Sequence, residues 1–283
     1  MIKHIFCDLD GTLYHNGISK EDVDAIKKIE AMGVRFHIAT GRIFTQADKM
    51  TKEYVDLNGY YICENGSYIY DNNHNLIFKG TIDDHIVNKV IDSFDSDKST
   101  IYFKYDGKVV FIDENKFFNK YTSEYIIDKD FGKRGKYDNL IGNIGIVSQD
   151  VDELGRLELY LKALFEEVLD IYFSSENTLN LVPKGVSKHE AIKIVCDKIG
   201  ANLDEVATMG DSPNDISMLQ ASKYSFAMQN SRSEVKECAN YEASSVADAI
   251  NQIIHMIMMF LLLCIIMLII KVLNIFCYLL IFP

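Results

Sequence analysis

Apolar and polar positions alternate in two different periods along the first eighty residues, and these periods predict alternating strands and helices. Residues 3–7 form a short apolar run that predicts a strand. In the next segment, SKEDVDAIKKIEAMG, apolar residues recur every three positions, and Ser19 with Asp22 is typical of a helix N-terminus. The run VRFHIAT predicts a second strand. This order favours a βαβ unit and therefore a parallel sheet.

The pattern changes after residue 80. Up to that point, the segment YYICENGSYIYDNNHNLIFKG at residues 60–80 predicts a strand followed by a hairpin. From residue 81 onward, helix-like runs alternate with short β-rich runs. After Pro183 the first pattern returns, since VSKHEAIKIVCDKIG predicts a helix and DEVATMGD a strand. We therefore predict a discontinuous α/β core, residues 1–80 and 184–252, interrupted by an α+β insert at residues 81–183.

The end of the chain has a different composition. From Ile253 to Ile270 no residue is charged, and as a helix this run would be about 27 Å long, close to the ~30 Å of a hydrocarbon core. Further apolar residues follow Lys271, so that residues 253–283 form an apolar tail. Two interpretations stay open, a membrane anchor and the product of a shifted reading frame in an AT-rich gene. Packing of the tail onto the core is the least favoured alternative, because this much apolar surface would need a partner.

Charge and cysteine usage narrow the class of protein. The chain has 283 residues and a net charge of −12, which argues against a broad basic face and predicts no nucleic-acid partner. Its six cysteines form no CxxC pair, which favours a reducing compartment. No signal-sequence pattern precedes the first predicted strand, so we expect a cytoplasmic catalytic body.

Polar residues cluster where predicted strands and helices begin or end. The clusters are Asp8 with Asp10, Thr40 to Arg42, Lys184 to Lys188, and GDSPND at residues 210–215. In an open parallel sheet, ligands bind beyond the carboxyl ends of the strands. Two neighbouring carboxylates repel each other unless a cation lies between them, and their oxygens suit Mg²⁺. Taken alone, DLDG is more typical of an ordinary turn.

The other clusters favour an anion site beside such a metal. Gly11 permits a close approach of the backbone, and Thr40 offers a hydroxyl at a strand end. Ser187 and Glu190 form a second capping pattern, which places Lys188 in the first turn of a helix. Backbone N–H groups and the helix dipole favour anions there. In combination the clusters predict a phosphate site next to a divalent cation.

The motifs DLDGT, ATGR, VSKHEA and GDSPND stand in the order and spacing of the haloacid dehalogenase superfamily. The pattern resembles its Cof-type, subfamily IIB, phosphatases, and CENGSYIYD, PKGVSK and FAMQNSRSEVKECA strengthen that resemblance over residues 1–253. It implies a Rossmann-like parallel sheet core with an inserted α+β cap of the C2 type. Two departures are His189, where the family usually has glycine, and Gln229 in the loop that usually reads AMGN.

The resemblance also implies roles for the clustered residues. Asp8 would be the nucleophile that forms an aspartyl-phosphate, and Asp10 the general acid and base, with a side chain free to move a proton. The phosphoryl group would be held by Thr40, Gly41, Lys188 and Asn214. Mg²⁺ would be bound or supported by Asp8, Asp10 through its backbone carbonyl, Asp211 and Asp215. Arg42 and Asn65 resemble substrate contacts.

The function implied is a Mg²⁺-dependent phosphatase of small phosphorylated metabolites, such as sugar phosphates or phosphorylated cofactors. A phosphomutase or phosphotransferase would keep the same core, and a non-catalytic phosphate-ester-binding protein is disfavoured because all four motifs are intact. An ion pump is disfavoured, because ion-pumping ATPases carry a non-acidic residue where Asp10 stands and because one candidate membrane segment is too little for an ion path. The aromatic runs of the insert, IYFKY and KFFNKYTSEY, are expected to pack within it, with substrate contact as the alternative.

Overall fold

The computed structural model describes residues 1–113 and 125–281, and their side chains as far as Val272. The strands are β1 (His4–Cys7), β2 (Arg35–Ala39), β3 (Tyr61–Cys63), β4 (Tyr68–Tyr70), β5 (Leu76–Lys79), β6 (Ser99–Tyr105), β7 (Lys108–Phe111), β8 (Ile126–Ile127), β9 (Ile141–Ser148), β10 (Leu169–Ser175), β11 (Thr178–Pro183), β12 (Val206–Gly210), β13 (Tyr224–Met228) and β14 (Tyr241–Ala243). The α-helices are α1 (Lys20–Ala31), α2 (Phe44–Lys52), α3 (Asp84–Ser93), α4 (Val151–Phe165), α5 (Lys188–Ile199), α6 (Ile216–Ala221), α7 (Ser233–Lys236) and α8 (Val246–Ile281).

The larger sheet has the strand order β14-β13-β12-β1-β2-β3-β4-β5 within the described residues. Neighbours from β14 to β3 are parallel, and β4 and β5 add an antiparallel hairpin at one edge. Cys7 pairs with Ile38 on one side and Met209 on the other. The residues that directly follow β1, β2 and β12 therefore lie together at the carboxyl edge of the sheet, and the predicted α/β core is confirmed.

A second sheet has the order β10-β11-β9-β6-β7-β8 and is mostly antiparallel. It forms its own apolar core with α3 and α4, in which Phe103, Ile144 and Leu157 are fully buried. The predicted α+β insert is confirmed as a fold class. Of its two aromatic runs, residues 116–124 lie outside the described residues.

Local hydrogen bonds explain why α1 begins where it does. The Ser19 hydroxyl accepts the N–H of Asp22 at 3.0 Å and donates to the Asp22 carboxylate at 2.7 Å, as the capping pattern predicts. Gly33, with φ of +86°, follows the last turn in the left-handed region that glycine tolerates. The other oxygen of the Asp22 carboxylate accepts the N–H of Ala247 at 2.7 Å. The first turns of α1 and α8 therefore lie side by side.

Helix α8 has two different environments along its length. Its first turns belong to the main core, where Ile250, Ile253 and Ile257 are buried beside residues of α1. From Met258 to Val272 every side chain is exposed. The predicted boundary at residue 253 falls inside this helix. Among the described residues, the span Val246–Val272 is long and apolar enough to cross a membrane, by length and composition alone.

A buried histidine ties β2 to its neighbours. His37 is fully buried, and its Nδ1 accepts the N–H of Tyr60 at 2.9 Å, so this nitrogen carries no proton. Its Nε2 lies 3.1 Å from Nδ1 of His4, and its ring stacks on Phe6. Burial, followed by the positive charges that His4 and Arg35 can carry, lowers the pKa of His37 well below its usual 6.5. His37 is therefore neutral in the folded protein.

This neutral histidine predicts a loss of stability in mild acid. Below about pH 6.5 the unfolded chain takes up a proton at position 37 that the folded chain does not bind, so the free energy of unfolding falls by at most about 1.4 kcal/mol per pH unit. His37→Asn keeps an acceptor for the Tyr60 N–H but cannot titrate. Urea unfolding between pH 7.5 and 5.5 should show a shallower pH dependence for this variant. The exposed His85→Asn is the control, and an equal effect of both variants contradicts the assignment.

Candidate active site

Three carboxylates meet at the carboxyl edge of the larger sheet. Asp8 follows β1, Asp211 follows β12, and Asp215 ends the short 3-10 turn Pro213–Asp215. Each offers an oxygen that lies within 4.8 Å of the others. Burial, then the charge of Asp215, raises the pKa of both Asp8 and Asp211, although Lys188 opposes both shifts. The three carboxyl groups therefore need nearby cations if they are to stay ionised.

Lys188 supplies the first cation. It opens α5 directly after Ser187, whose hydroxyl accepts the N–H of Glu190 at 3.2 Å, as predicted. Its buried Nζ donates to Oδ1 of Asp8 at 2.5 Å and to Oδ1 of Asp215 at 2.6 Å. Burial by itself lowers the pKa of Lys188, but the two carboxylates outweigh this and raise it. The lysine is therefore a fixed positive charge between the end of β1 and the turn that ends at Asp215.

The donor set fits a hard divalent cation. The second oxygen of Asp215 accepts the N–H groups of Asp211 and Ser212 at 3.0 Å each, so both of its oxygens are occupied by protein donors. Oδ1 of Asp8 is bonded to Lys188. Three carboxylates facing one buried ammonium leave excess negative charge, and oxygen ligands suit Mg²⁺. The cluster could hold such an ion through Asp8 and Asp211, with Asp215 as support.

Gly11 is required by the same cluster. Its φ of +85° lies in the left-handed region, and a Cβ at this position would stand 2.5 Å from Oδ2 of Asp211. The next residue, Thr12, donates its hydroxyl to Oδ1 of Asp211 at 2.6 Å. The sequence interpretation linked the small size of Gly11 to an anion, and the anion that the structure places against it is the Asp211 carboxylate.

Asp10 has a partner that the sequence interpretation missed. Its carboxylate accepts two hydrogen bonds of 2.7 Å from the Arg42 guanidinium, from Nε to Oδ2 and from Nη2 to Oδ1. The expectation of a free Asp10 side chain was therefore wrong for this conformation. The reason is geometric, since the guanidinium fork matches both carboxylate oxygens at once. The side chain of Asp10 is still about half exposed, at 47%.

The remaining predicted residues come together around the loop after β2. The Thr40 hydroxyl accepts the N–H of Arg42 at 3.1 Å, and its carbonyl accepts the N–H of Asn65 at 3.0 Å. Asn65 has φ of +61°, and its Oδ1 accepts the Nδ2 of Asn214 at 2.9 Å. Nδ2 of Asn65 is buried without a hydrogen-bond partner. This loop therefore holds an unused amide donor at the edge of the site.

Asp8 and Asp10 line a cleft of about 460 Å³ between the two sheets. The larger sheet and its loops contribute Asp8, Asp10, Gly41, Arg42, Asn65 and Asn214, among others. The second sheet contributes Tyr102, Lys104, Val109, Ser174, Ser175, Thr178 and Asn180. Tyr102 also stacks on Phe111, so the run IYFKY serves packing, as expected, and lines the cleft as well.

Lys104 and Glu64 are site residues that the sequence interpretation missed. The Lys104 Nζ donates to the carbonyl of Gly41 at 2.6 Å, which joins the second sheet to the loop after β2. Burial lowers the pKa of Lys104 and raises that of Glu64, while the attraction between the two charges opposes both shifts. The sequence did contain a signal for Lys104, because it is a lysine inside an apolar strand. It stands two positions from Tyr102 and therefore on the same face of the strand.

The contact between Gly11 and Asp211 predicts a large effect of a single methyl group. Gly11→Ala should destabilise the protein by the cost of a left-handed alanine, about 1–2 kcal/mol, plus the cost of displacing the Asp211 carboxylate. Gly107→Ala is the matched control, because Gly107 has φ of +68° with no atom within 4 Å of the added Cβ. Urea unfolding of both variants separates strain from contact, and equal losses would contradict the role given to Gly11.

Comparisons with known proteins agree with this geometry. The family model of haloacid dehalogenase-like hydrolases matches residues 5–257. A 5-amino-6-(5-phospho-D-ribitylamino)uracil phosphatase of Bacillus subtilis is 30% identical over 242 residues, which is 85% of this chain and 89% of the relative. A phosphoglycolate phosphatase of Thermoplasma volcanium is 27% identical over 246 residues, covering 86% of this chain and 92% of the relative.

Solved structures show the same fold. A haloacid dehalogenase-like hydrolase from Bacillus subtilis superposes with a TM-score of 0.80 at 22% identity, covering 88% of this chain and 99% of the other. A sugar phosphatase of haloacid dehalogenase subclass IIB superposes with a TM-score of 0.74 at 20% identity, covering 90% and 98%. At these identities the likeness concerns the fold, a parallel sheet with an inserted second sheet.

Proposed function

The chain belongs to the haloacid dehalogenase-like hydrolase family, and we propose that it is a Mg²⁺-dependent phosphatase that acts on small phosphorylated metabolites through an aspartyl-phosphate. Its membership among the Cof-type phosphatases and its class, phosphoric monoester hydrolase, rest on the comparisons. The observation that carries the finer proposal is Lys188, which lies buried between Asp215 and Asp8, and Asp8 lines the cleft. Phosphoryl transfer depends mainly on positioning and on neutralised charge, and this arrangement supplies both.

In the first step, a carboxylate oxygen of Asp8 attacks phosphorus. A bond from oxygen to phosphorus forms, the bond to the ester oxygen breaks, and Asp10 gives a proton to the leaving oxygen. Thr40, Gly41, Lys188 and Asn214 would hold the phosphoryl oxygens, together with the unused amide of Asn65. Mg²⁺, held by Asp8, Asp211 and the backbone carbonyl of Asp10, with Asp215 as support, would supply further charge neutralisation when bound.

In the second step, Asp10 takes a proton from a water molecule, whose oxygen attacks phosphorus and releases Asp8 and inorganic phosphate. Both steps require Asp10 to leave the guanidinium of Arg42, to which it is bonded through both oxygens. An incoming phosphate ester offers Arg42 a competing anion of the kind that guanidinium groups prefer. We infer that Arg42 exchanges Asp10 for the substrate, and that the released Asp10 carboxylate takes up a proton from water before it gives that proton to the leaving oxygen.

The walls of the cleft support a small polyhydroxylated ester. Ser174, Ser175, Thr178 and Asn180 offer hydroxyl and amide groups opposite the carboxylates, and Tyr102 adds an aromatic surface. The Bacillus subtilis relative is named for a phosphoribityl substrate, which combines a polyol with a flat ring. A sugar phosphate or a phosphorylated cofactor would fill a cleft of about 460 Å³. A phosphomutase would use the same groups, and product analysis with a sugar bisphosphate distinguishes it.

The proposal includes a division of labour along the chain. Residues 1–80 and 184–252 would be the catalytic core, and residues 81–183 the cap that excludes water and selects the substrate. The catalytic body would work in the cytoplasm, in keeping with the free thiols of Cys7, Cys63 and Cys196. Of the apolar tail at residues 253–283, the part from residue 258 onward would attach it to a membrane.

Replacement of the nucleophile tests the mechanism. Asp8→Asn should lower kcat for an aryl phosphate by about 10⁴-fold or more, because the amide cannot form the phosphorylated intermediate. The measurement is release of inorganic phosphate by the full chain in detergent with Mg²⁺, and a chelator should abolish it. Activity that survives both the substitution and chelation contradicts the proposed mechanism. Tight binding of phosphate esters without turnover by the parent protein would instead favour a binding protein.

Lys104 offers a test of the cleft wall. Lys104→Met removes an ammonium from the cleft and leaves the Gly41 carbonyl and the buried Glu64 uncompensated, which should cost about 1–3 kcal/mol of unfolding free energy. The double variant Lys104→Met, Glu64→Gln should regain part of that stability, because it removes the isolated carboxyl. If Lys104 contacts the substrate, KM should stay raised by about tenfold in the double variant, a loss of about 1.4 kcal/mol in binding. A KM that recovers together with stability would restrict Lys104 to a structural role.

A further inference from the structure

We propose that helix α8 enters a lipid bilayer on the side of the body opposite the catalytic cleft, so that the cleft faces water and receives soluble phosphate esters. The identity of the ester rests on the proposed function, whereas the attachment and its direction rest on α8 itself. Two observations carry the inference. One is the environment of α8 along its length, and the other is the direction in which it leaves the sheet.

The exposed part of α8 is apolar on every face. Consecutive side chains from Met258 to Ile270 are exposed, the large ones by 43% to 70%, so no face of the helix is reserved for the protein body. A protein groove would cover one stripe of such a helix, whereas a bilayer solvates the whole circumference. The helix continues to Ile281, which gives residues 258–281 a length of about 36 Å against ~30 Å of hydrocarbon.

One charge interrupts this segment. Lys271 is the only charged residue between 258 and 281. A single lysine among many leucine and isoleucine residues is compatible with insertion, because each of those residues favours the bilayer and the lysine stem lets the ammonium move toward a headgroup region. Before residue 258, the side chains of Ile253, Ile254 and Ile257 are already used in the protein core. The bilayer segment therefore begins where the core contacts end.

The direction of α8 follows from the sheet. β14 is parallel to β13, and the chain leaves it at the same carboxyl edge that carries Asp8 and Asp211. There the N–H of Ala247 bonds to Asp22 in the first turn of α1. Because α1 leads into the start of β2, it runs from the carboxyl edge to the amino edge. α8 begins beside it and packs along it, so it runs the same way.

The lengths place the exit point at the amino edge. The buried part of α8, residues 246–257, has as many residues as α1 and spans about 18 Å. Beyond it the helix projects past the amino edge of the sheet. The catalytic carboxylates therefore lie about one strand length from the membrane surface, at the edge of the sheet that faces away from the membrane. A phospholipid headgroup in the same bilayer could not reach them, whereas a soluble ester could.

Attachment is tested on the full chain with phosphatidylcholine vesicles. The parent protein should float with the vesicles, and Leu262→Lys with Ile266→Lys should remain in the soluble fraction with unchanged turnover of an aryl phosphate. Leu159→Lys is the matched control, because Leu159 is a leucine of α4 that is 72% exposed away from the tail. Absence of the parent from the vesicles, with tail-dependent dimers in its place, would overturn the proposal in favour of a second copy as the partner.

Orientation is tested by energy transfer from a dye on the protein to a headgroup-labelled lipid. The dye is attached to Met32→Cys, at the amino edge after α1, or to Asn230→Cys, at the carboxyl edge after β13. Both are made in a chain whose Cys238, Cys264 and Cys277 are replaced by serine. Transfer should be stronger from position 32, and equal or stronger transfer from position 230 would overturn the orientation.

A substrate comparison in the same vesicles completes the test. The bound enzyme should hydrolyse a soluble sugar phosphate and leave phosphatidic acid intact, and preferential hydrolysis of phosphatidic acid would contradict the orientation. If the protein floats and shows the predicted energy transfer but hydrolyses no ester, the proposed function fails while the membrane arrangement stands. The two proposals can therefore be refuted separately.

Discussion

The buried ammonium of Lys188 is the interaction on which the site depends. Carboxylates that are removed from water are costly unless a partner compensates them, and Lys188 bonds to two of them at once. To do so it must start α5 at the level where β1 and β12 end, and the Ser187 cap fixes that start. The two bonds of Lys188 thus fix three elements relative to one another. These are the strand ends, the first turn of α5 and the turn at Asp215.

That compensation is incomplete, and the imbalance explains the chemistry. Asp211 and Asp8 still have raised pKa values, chiefly through burial, despite the lysine. A folded protein optimised only for stability would replace such a cluster with apolar residues. In the proposed function the uncompensated charge has a use, because it would attract a divalent cation, and that cation together with Lys188 would then offset the negative charge of the incoming phosphate ester. The amide Nδ2 of Asn65 is likewise buried without a partner, and in the proposed mechanism it would donate to a phosphoryl oxygen.

The sequence predicted the parts of this arrangement that depend on period and chain direction. Parallel strands bring their carboxyl ends together, so Asp8, Thr40 and Asp211 could be placed at one edge without coordinates. Pairings between side chains distant in sequence could not be predicted in this way. The choice of Arg42 as the partner of Asp10, and of the Gly41 carbonyl as the acceptor for Lys104, depends on where two separate segments meet. No local sequence pattern predicts which distant segments come into contact. The lysine in the apolar strand β6 indicated only that its ammonium needs a partner.

The tail shows another limit of sequence-based prediction. Composition locates the point where the helix leaves the protein core less sharply than the burial of its side chains does. The last charged residue before the tail is Asp248, and the apolar run that starts at Ile253, after the polar Asn251 and Gln252, predicts a boundary there. Yet Ile253, Ile254 and Ile257 still face the core, and the helix passes that boundary without a break. Apolar residues serve equally in a protein core and in lipid, so the sequence cannot tell where one environment replaces the other. The distinction appears only in the arrangement, where a buried stripe gives way to exposure on every face. Because α8 is stiff over this length, its packing against α1 also sets the orientation of the carboxyl edge of the sheet relative to the exposed part of α8.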